Sequence, residues 1–432
     1  MGLIDMRNGV DGLRTIVERV LKRNPNEGHQ FVAYRSRRRV AHVAERTILS
    51  CRATLLARPL SSSESEGVLG KHLLIGLRPT VELHDDDRRL LSALRPADVI
   101  VYRANFAPDD PYEKWHARFA ALVAEIRGAI GRDRVLICID HEGGTVLRPP
   151  RPITQFDFAR RWADRASAVG AAMGIELASL GINVNFAPVL DIDSNSANPV
   201  IGPRAFASDA ESVIASGRAF ITGMQREGVL GCPKHFPGHG DTSIDSHLGL
   251  PQLDLNRAAL AARELRPFSA VAKDPVHLIM TAHILYPSLD PGIPATMSHE
   301  LVTTILRGEL GYRGAVVTDD IGMRAVSSMF DQPDACARVL SSGTDLIMIC
   351  SHWTDTDRSY SLVDNLGRAR RDGSLTEATL AAADARIDTL LAAAPTHTPR
   401  LLDPEVLAAH SRLAPLYLKR GAVGQTVSLE EA

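Results

Sequence analysis

RVLICIDHEGG, residues 134–144, carries two signals back to back. The unbroken apolar run 135–139 fits a short strand buried on both faces. Asp140, His141 and Glu142, followed by Gly143 and Gly144, then end that strand on titratable groups and a break in regular structure. The same pattern recurs along the chain. Comparable runs are KHLLIGL (71–77), ADVIVYR (97–103), INVNFAPVLD (182–191), GVLGCPKHF (228–236), VHLIMTAH (276–283), GAVVTDD (314–320) and DLIMIC (345–350). Helical patterns lie between them, at 112–130, 209–228, 298–311 and 376–394. In the third, Ser298 is placed as the N-cap and Gly311 as the glycine stop. Eight apolar runs alternating with helices predict parallel strands with helical crossovers, an α/β fold closed as a TIM-like (β/α)8 barrel. The competing open, doubly wound sheet lacks a GxGxxG after its first strand.

In such a barrel the active site lies at the C-terminal ends of the strands. Five runs finish there on titratable residues: Asp140 with His141 and Glu142, Asp191, Lys234 with His235, His283, and Asp319 with Asp320. One aspartate after a strand is commonly a turn former or a helix cap. Five strand ends converging on one mouth make a catalytic constellation. Asp319, fixed at a strand end, is suited to act as nucleophile or general base.

The segment KHFPGHGDTSIDSH (234–247) adds a lysine, three histidines and two aspartates, interrupted by Pro237, Gly238 and Gly240. Packing a core calls for no such segment. In it Asp245 lies two residues from His247, so its carboxylate could hold the imidazole in one tautomer. A plain Asx-turn beside a surface histidine fits the same spacing. His235 and His239 are four apart, but Pro237 and Gly238 between them bar a shared helical face. No glutamate follows His235, so no metal centre is expected.

These segments together resemble glycoside hydrolase family 3, and more narrowly its bacterial NagZ-type β-N-acetylglucosaminidases. The resemblance rests on DHEGG (140–144), NFAPVLDI (185–192), IGPRAFASD (201–209), KHFPGHG followed by DSH, MTAHILYP (280–287) and VVTDDIGM (316–323), in the family's order, from about residue 71 to 395. It implies a retaining exo-β-N-acetylglucosaminidase that needs no cofactor. Asp319 matches the nucleophile, His247 the acid/base and Asp245 its dyad partner. Asp140, Arg148, Arg204, Lys234 and His235 match positions that hold the non-reducing N-acetylglucosamine, and His283 and Met323 line the same pocket. His283, in an apolar strand, also reads as a buried structural histidine. The implied substrate is a GlcNAc-containing saccharide from peptidoglycan turnover, such as GlcNAc-β-1,4-anhydroMurNAc. Thr145 stands where the family commonly has arginine, and the following PPRPI (149–153) is proline-rich. Two other readings fit the same residues: phosphorolysis, since a neutral histidine does not repel phosphate, and a non-catalytic sugar-binding protein.

Bulk properties agree with this reading. The 432 residues carry 49 basic and 51 acidic side chains, net charge −2, and 5% aromatics, so nucleic acid is not the expected partner. No apolar run reaches the length of a membrane span, and MGLIDMRNGVDG lacks a signal pattern. The five cysteines, with no CxxC pair, read as reduced core residues in the cytoplasm. Residues 1–70 are expected to form a basic extension, with helices near 10–23 and 40–57 and the polar break SSSESEG. Its segment 34–63 has the arginine and serine content of a transit peptide but does not start the chain, and a solvated basic helix is the favoured reading. Residues 71–395 are expected to form the barrel. Within 396–432, a helix at 401–418 is expected to pack on it. The protein is expected to be a monomer or weak dimer.

Overall fold

In the computed structural model the described residues are 30–35, 41–46 and 69–418, apart from 247, 352, 353, 355 and 356. The chain separates into two compact units, Met1–Ser62 and Ser63–Ala432. In the first, β1 (Gln30–Arg35) pairs antiparallel with β2 (Ala41–Arg46). A strand thus stands at 41–46, in the first part of the stretch 40–57 expected to be helical; the rest of that stretch lies outside the described residues. QFVAYR (30–35) carries Phe, Val and Tyr, which favour strands, and pairing with it draws 41–46 into the same ladder although VAHVAER has no two-residue alternation of its own. The helix expected near 10–23 lies outside the described residues.

The second unit holds eight short parallel strands: β3 (Leu73–Gly76), β4 (Asp98–Val101), β5 (Leu136–Ile139), β6 (Val184–Asn185), β7 (Leu230–Gly231), β8 (Leu278–Thr281), β9 (Ala315–Thr318) and β10 (Ile347–Ile349). The hydrogen-bonded order is β10-β3-β4-β5-β6-β7, with β8 beside β9. Parallel bridges Phe236–Thr281 and Val317–Leu346 join the two pieces at both seams, which closes the ring. Each expected strand is present, shortened at its ends.

Side chains alternate between two buried layers, as the two-residue strand period requires. Leu74, Ile100, Leu136, Cys138, Met280, Val317 and Met348 fill the barrel interior. Ile75, Val99, Val101, Ile137, Ile139, Ile279, Val316 and Ile347 face the surrounding helices. Burial on both faces explains why the runs are almost continuously apolar. Around the strands lie α1 (Asp85–Leu94), α2 (Tyr112–Ile130), α3 (Ala166–Ser179), α4 (Ala210–Arg226), α5 (Arg257–Ala262), α6 (Leu265–Val271), α7 (Ala335–Ser341), α8 (Arg358–Asp372), α9 (Glu377–Ala393) and α10 (Pro404–His410). Asp209 caps α4 by accepting from the Ser212 N–H at 2.9 Å, and Thr376 caps α9 by accepting from Thr379 at 3.1 Å.

Two expected helices differ in detail. Glu300–Glu309 is wound as a π-helix, with Leu310 N–H donating to Ile305 C=O at 2.9 Å. Ser298 Oγ accepts from Leu301 N–H at 3.1 Å and Gly311 takes φ +75°, so both ends fall as expected. In the C-terminal stretch expected as one helix over 401–418, only Pro404–His410 is helical. His410 Nδ1 meets Glu176 Oε1 of α3 at 2.8 Å and docks it.

The N-terminal end of the barrel is plugged. Ile387, Leu390 and Leu391 of α9 join the interior cluster. Arg386 Nε donates to Asp345 Oδ1 at 2.9 Å, and Lys71 Nζ pairs with Asp384 at 3.1 Å. A ligand therefore approaches from the C-terminal mouth. No helix among the described residues is long and apolar enough to cross a membrane.

Candidate active site

At the C-terminal mouth, β5 delivers Asp140 and Glu142, which bracket a cationic pair. Lys234 Nζ, from the end of β7, lies 2.5 Å from Asp140 Oδ1 and 2.6 Å from Glu142 Oε1. Arg204, from the loop after β6, forks onto Glu142 with Nε–Oε2 and Nη2–Oε1 both at 2.9 Å. Burial alone would neutralise Glu142, but the Arg204 and Lys234 charges outweigh it and hold its carboxyl well below the usual range. The two carboxylates correspondingly push Lys234 upward against its own burial, so it stays charged. Glu142 was visible in the sequence only as part of DHEGG. Its central position comes from the loop that returns Arg204 to the mouth.

His235 follows Lys234 and is held from the other side. Its Nδ1 lies 2.7 Å from Asp191 Oδ2, the acidic end of the β6 run. Asp191 also accepts the His239 N–H at 2.6 Å. His239 is closed in further by Thr242 Oγ1 at 2.7 Å and Ser246 Oγ at 3.2 Å, and burial pushes its imidazole down to about 4, so it is neutral at pH 7. Asn198 Nδ2 donates to the carbonyls of His239 and Gly240 at 2.9 and 3.0 Å, and Tyr286 O–H donates to Gly238 C=O at 2.7 Å. Arg263 bridges Asp241 Oδ2 and Glu264 Oε1, each at 2.6 Å. The first part of the 234–247 segment is thus pinned by four other loops and helices. Asp245 lies in the following turn, its C=O accepting from Leu248 and Gly249 at 2.9 and 3.0 Å. His247 lies outside the described residues.

The end of β9 separates two adjacent aspartates. Asp320 Oδ1 accepts the N–H groups of Gly322 and Cys350, both at 2.9 Å, which ties β9 to the end of β10. Burial raises its pKa. Asp319 makes no ion pair with any described residue; its Oδ1 accepts the Asp320 N–H at 2.8 Å. Burial opposes ionisation here too, yet the fields of His235, His283 and Lys234 prevail and hold Asp319 below the usual carboxylate value. Adjacency in sequence therefore conceals two roles: one aspartate structural, one available.

His283 ends β8 between Thr296 Oγ1, 2.8 Å from Nδ1, and Asp320 C=O, 3.0 Å from Nε2. A carbonyl only accepts, so Nε2 carries the proton. Burial lowers the His283 pKa, and the ring braces the Asp319–Asp320 backbone. Met323 is buried nearby, its N–H donating to Asp320 C=O at 3.1 Å. Arg148 is half-buried, and its Nε has no hydrogen-bond partner among the described residues. Asp140, Glu142, Arg204, Lys234, His235, His283, Asp319 and Met323 thus come together. Asp191, which sequence reading left without a role, supports two of the loop's three histidine positions.

A carboxylate held ionised beside lysine, arginine and carboxylate groups with hydrogen-bonding capacity to spare suits attack at a carbon of a polyhydroxylated ring. Residues 75–390 match the model of the glycosyl hydrolase family 3 N-terminal domain. The chain is similar to beta-hexosaminidase A of Pseudoalteromonas piscicida, 38% identical over 59% of this chain and 47% of that protein, so it spans about half of that relative's length. It is 37% identical to a beta-hexosaminidase of Alkalilimnicola ehrlichii over 65% of this chain and 80% of the other. Among solved structures, a family 3 β-N-acetylglucosaminidase from Paenibacillus sp. str. FPU-7 superposes with TM-score 0.72 at 33% identity, covering 81% of this chain and 68% of that one.

Proposed function

The chain belongs to glycosyl hydrolase family 3 and is a glycoside hydrolase of the β-hexosaminidase type; from that premise we propose that it is a retaining exo-β-N-acetylglucosaminidase. Asp319 is the nucleophile. Its carboxylate forms a bond to C1 of a non-reducing GlcNAc as the C1–O bond to the leaving group breaks. His247, protonated and oriented by Asp245, gives its proton to the departing oxygen. It then takes a proton from the water that attacks C1 and releases Asp319. Asp140, Arg148, Arg204, Lys234 and His235 hold the sugar hydroxyls and the N-acetyl group, with His283 and Met323 closing the pocket. The observation that carries this reading is Asp319: an aspartate kept ionised at a strand end without an ion-pair partner among the described residues, whose neighbour Asp320 takes the structural hydrogen bonds.

The leaving group we assign is a peptidoglycan-derived saccharide of the GlcNAc-β-1,4-anhydroMurNAc kind, processed in the cytoplasm. The described cysteines, Cys138, Cys232, Cys336 and Cys350, are free thiols, in keeping with a reducing compartment. Release of 4-nitrophenol from the β-N-acetylglucosaminide, with the β-glucoside alongside and no phosphate, tests the reading. Strong preference for the N-acetyl sugar with retention at C1 supports it. Turnover only in the presence of phosphate, with α-GlcNAc-1-phosphate as product, replaces hydrolysis by phosphorolysis.

A further inference from the structure

Glu142 touches both cations of the mouth and has no oxygen left over. Oε1 serves Lys234 and Arg204 Nη2, and Oε2 serves Arg204 Nε. Its side chain is 6% exposed, so it is not itself placed to meet a substrate. Lys234 spends two of its three hydrogens on Asp140 and Glu142 and keeps one. Arg204 spends Nη1 on the Val200 carbonyl at 3.2 Å. The four groups carry two positive and two negative charges, so the cluster sums to zero.

From this geometry we infer that Glu142 is a positioning and specificity-determining residue. It fixes the directions in which Lys234 and Arg204 present their remaining hydrogens, and it cancels their excess charge, so that the subsite takes an uncharged hexosamine in preference to an anionic ligand. This rests on the sugar-binding role proposed above for Lys234 and Arg204. With Glu142 removed, the same two cations face one carboxylate. Their forks lose direction, hydroxyl binding weakens and the cluster becomes a small-anion site. The effect falls on ground-state sugar binding, because Glu142 takes no part in bond making or breaking in the proposed reaction.

The test uses the full chain and the aryl β-N-acetylglucosaminide. Glu142→Gln is expected to raise KM about tenfold or more, the scale of a lost charge-assisted hydrogen bond, and to lower kcat far less. Sulfate is expected to inhibit Glu142→Gln competitively at concentrations that leave the native enzyme unaffected. Glu142→Asp, which keeps the charge, is expected to recover most of the KM and to abolish the sulfate effect, and it remains informative if the glutamine variant does not fold. An unchanged KM, a loss confined to kcat, or equal behaviour of the two variants towards sulfate overturns the inference. Failure of the native enzyme to turn over the substrate counts instead against the proposed function. Isothermal titration of GlcNAc into both variants then still reads the positioning role.

Discussion

His235 Nδ1 and Asp191 Oδ2 stand 2.7 Å apart with the Asp191 side chain wholly buried, which links the ends of β6 and β7 at the mouth of the barrel. Removing the charge by Asp191→Asn leaves His235 and the His239 N–H poorly partnered. Breaking a buried pair costs about 3–5 kcal/mol, so a lowered melting temperature is expected in calorimetry. His235 and His239 hold Asp191 below its ordinary value against the pull of burial. A carboxyl depressed in the fold stabilises above its unfolded pKa of about 4, and that stabilisation is lost as pH falls through the folded value. The native protein should therefore lose its advantage over the variant in acid, and a constant difference down to pH 2 would count against the pair.

Asp319→Asn should lower kcat on the order of 10³-fold or more, with the fold intact, because an amide does not replace the attacking carboxylate. Mass spectrometry of the enzyme after reaction with a slow fluorosugar should place the covalent adduct on the peptide containing Asp319. An adduct on Asp320, or full activity in the variant, would dismiss the assignment.

Glu264 is buried beneath the 234–247 segment, one oxygen on Arg263 and the other without a hydrogen-bond partner among the described residues. Burial pushes its carboxyl up to about 7 despite Arg263. A carboxyl raised in the fold holds its proton more tightly there than in the unfolded chain, so its contribution declines as pH rises from about 4.5 to 7. Glu264→Gln should flatten that decline, and melting temperatures at pH 5 and pH 8 for both proteins measure it. Parallel pH curves would show that Glu264 titrates normally.

Gly240 has no room for a side chain: a Cβ there would lie 1.6 Å from the Ile192 carbonyl oxygen. Gly240→Ala must displace either the 234–247 segment or the strand end carrying Asp191. We expect kcat to fall about tenfold or more with little change in α-helical circular dichroism, since misplacing catalytic groups by a fraction of an ångström is costly. Native kcat in the variant would mean that the loop's position does not govern the reaction.

Much of this was written locally. Eight apolar runs alternating with helices determine parallel strands buried on both faces, and their number, with no GxGxxG after the first, favours a closed barrel over an open sheet. The titratable ends of those runs determine where the chemistry lies. The strand at 41–46 was not legible in this way: VAHVAER spaces its apolar residues as a helix would, and only pairing with 30–35 makes it a strand. The division of labour at the mouth was decided only by the tertiary structure. Nothing in DHEGG tells Asp140 from Glu142, and nothing in TDD tells Asp319 from Asp320. Lys234 and Arg204 converge on Glu142 from two different loops, and the N–H groups of Gly322 and Cys350 converge on Asp320. A carboxylate's role follows from which partners reach it, and partners brought by barrel closure from remote parts of the chain leave no mark on the residues beside it.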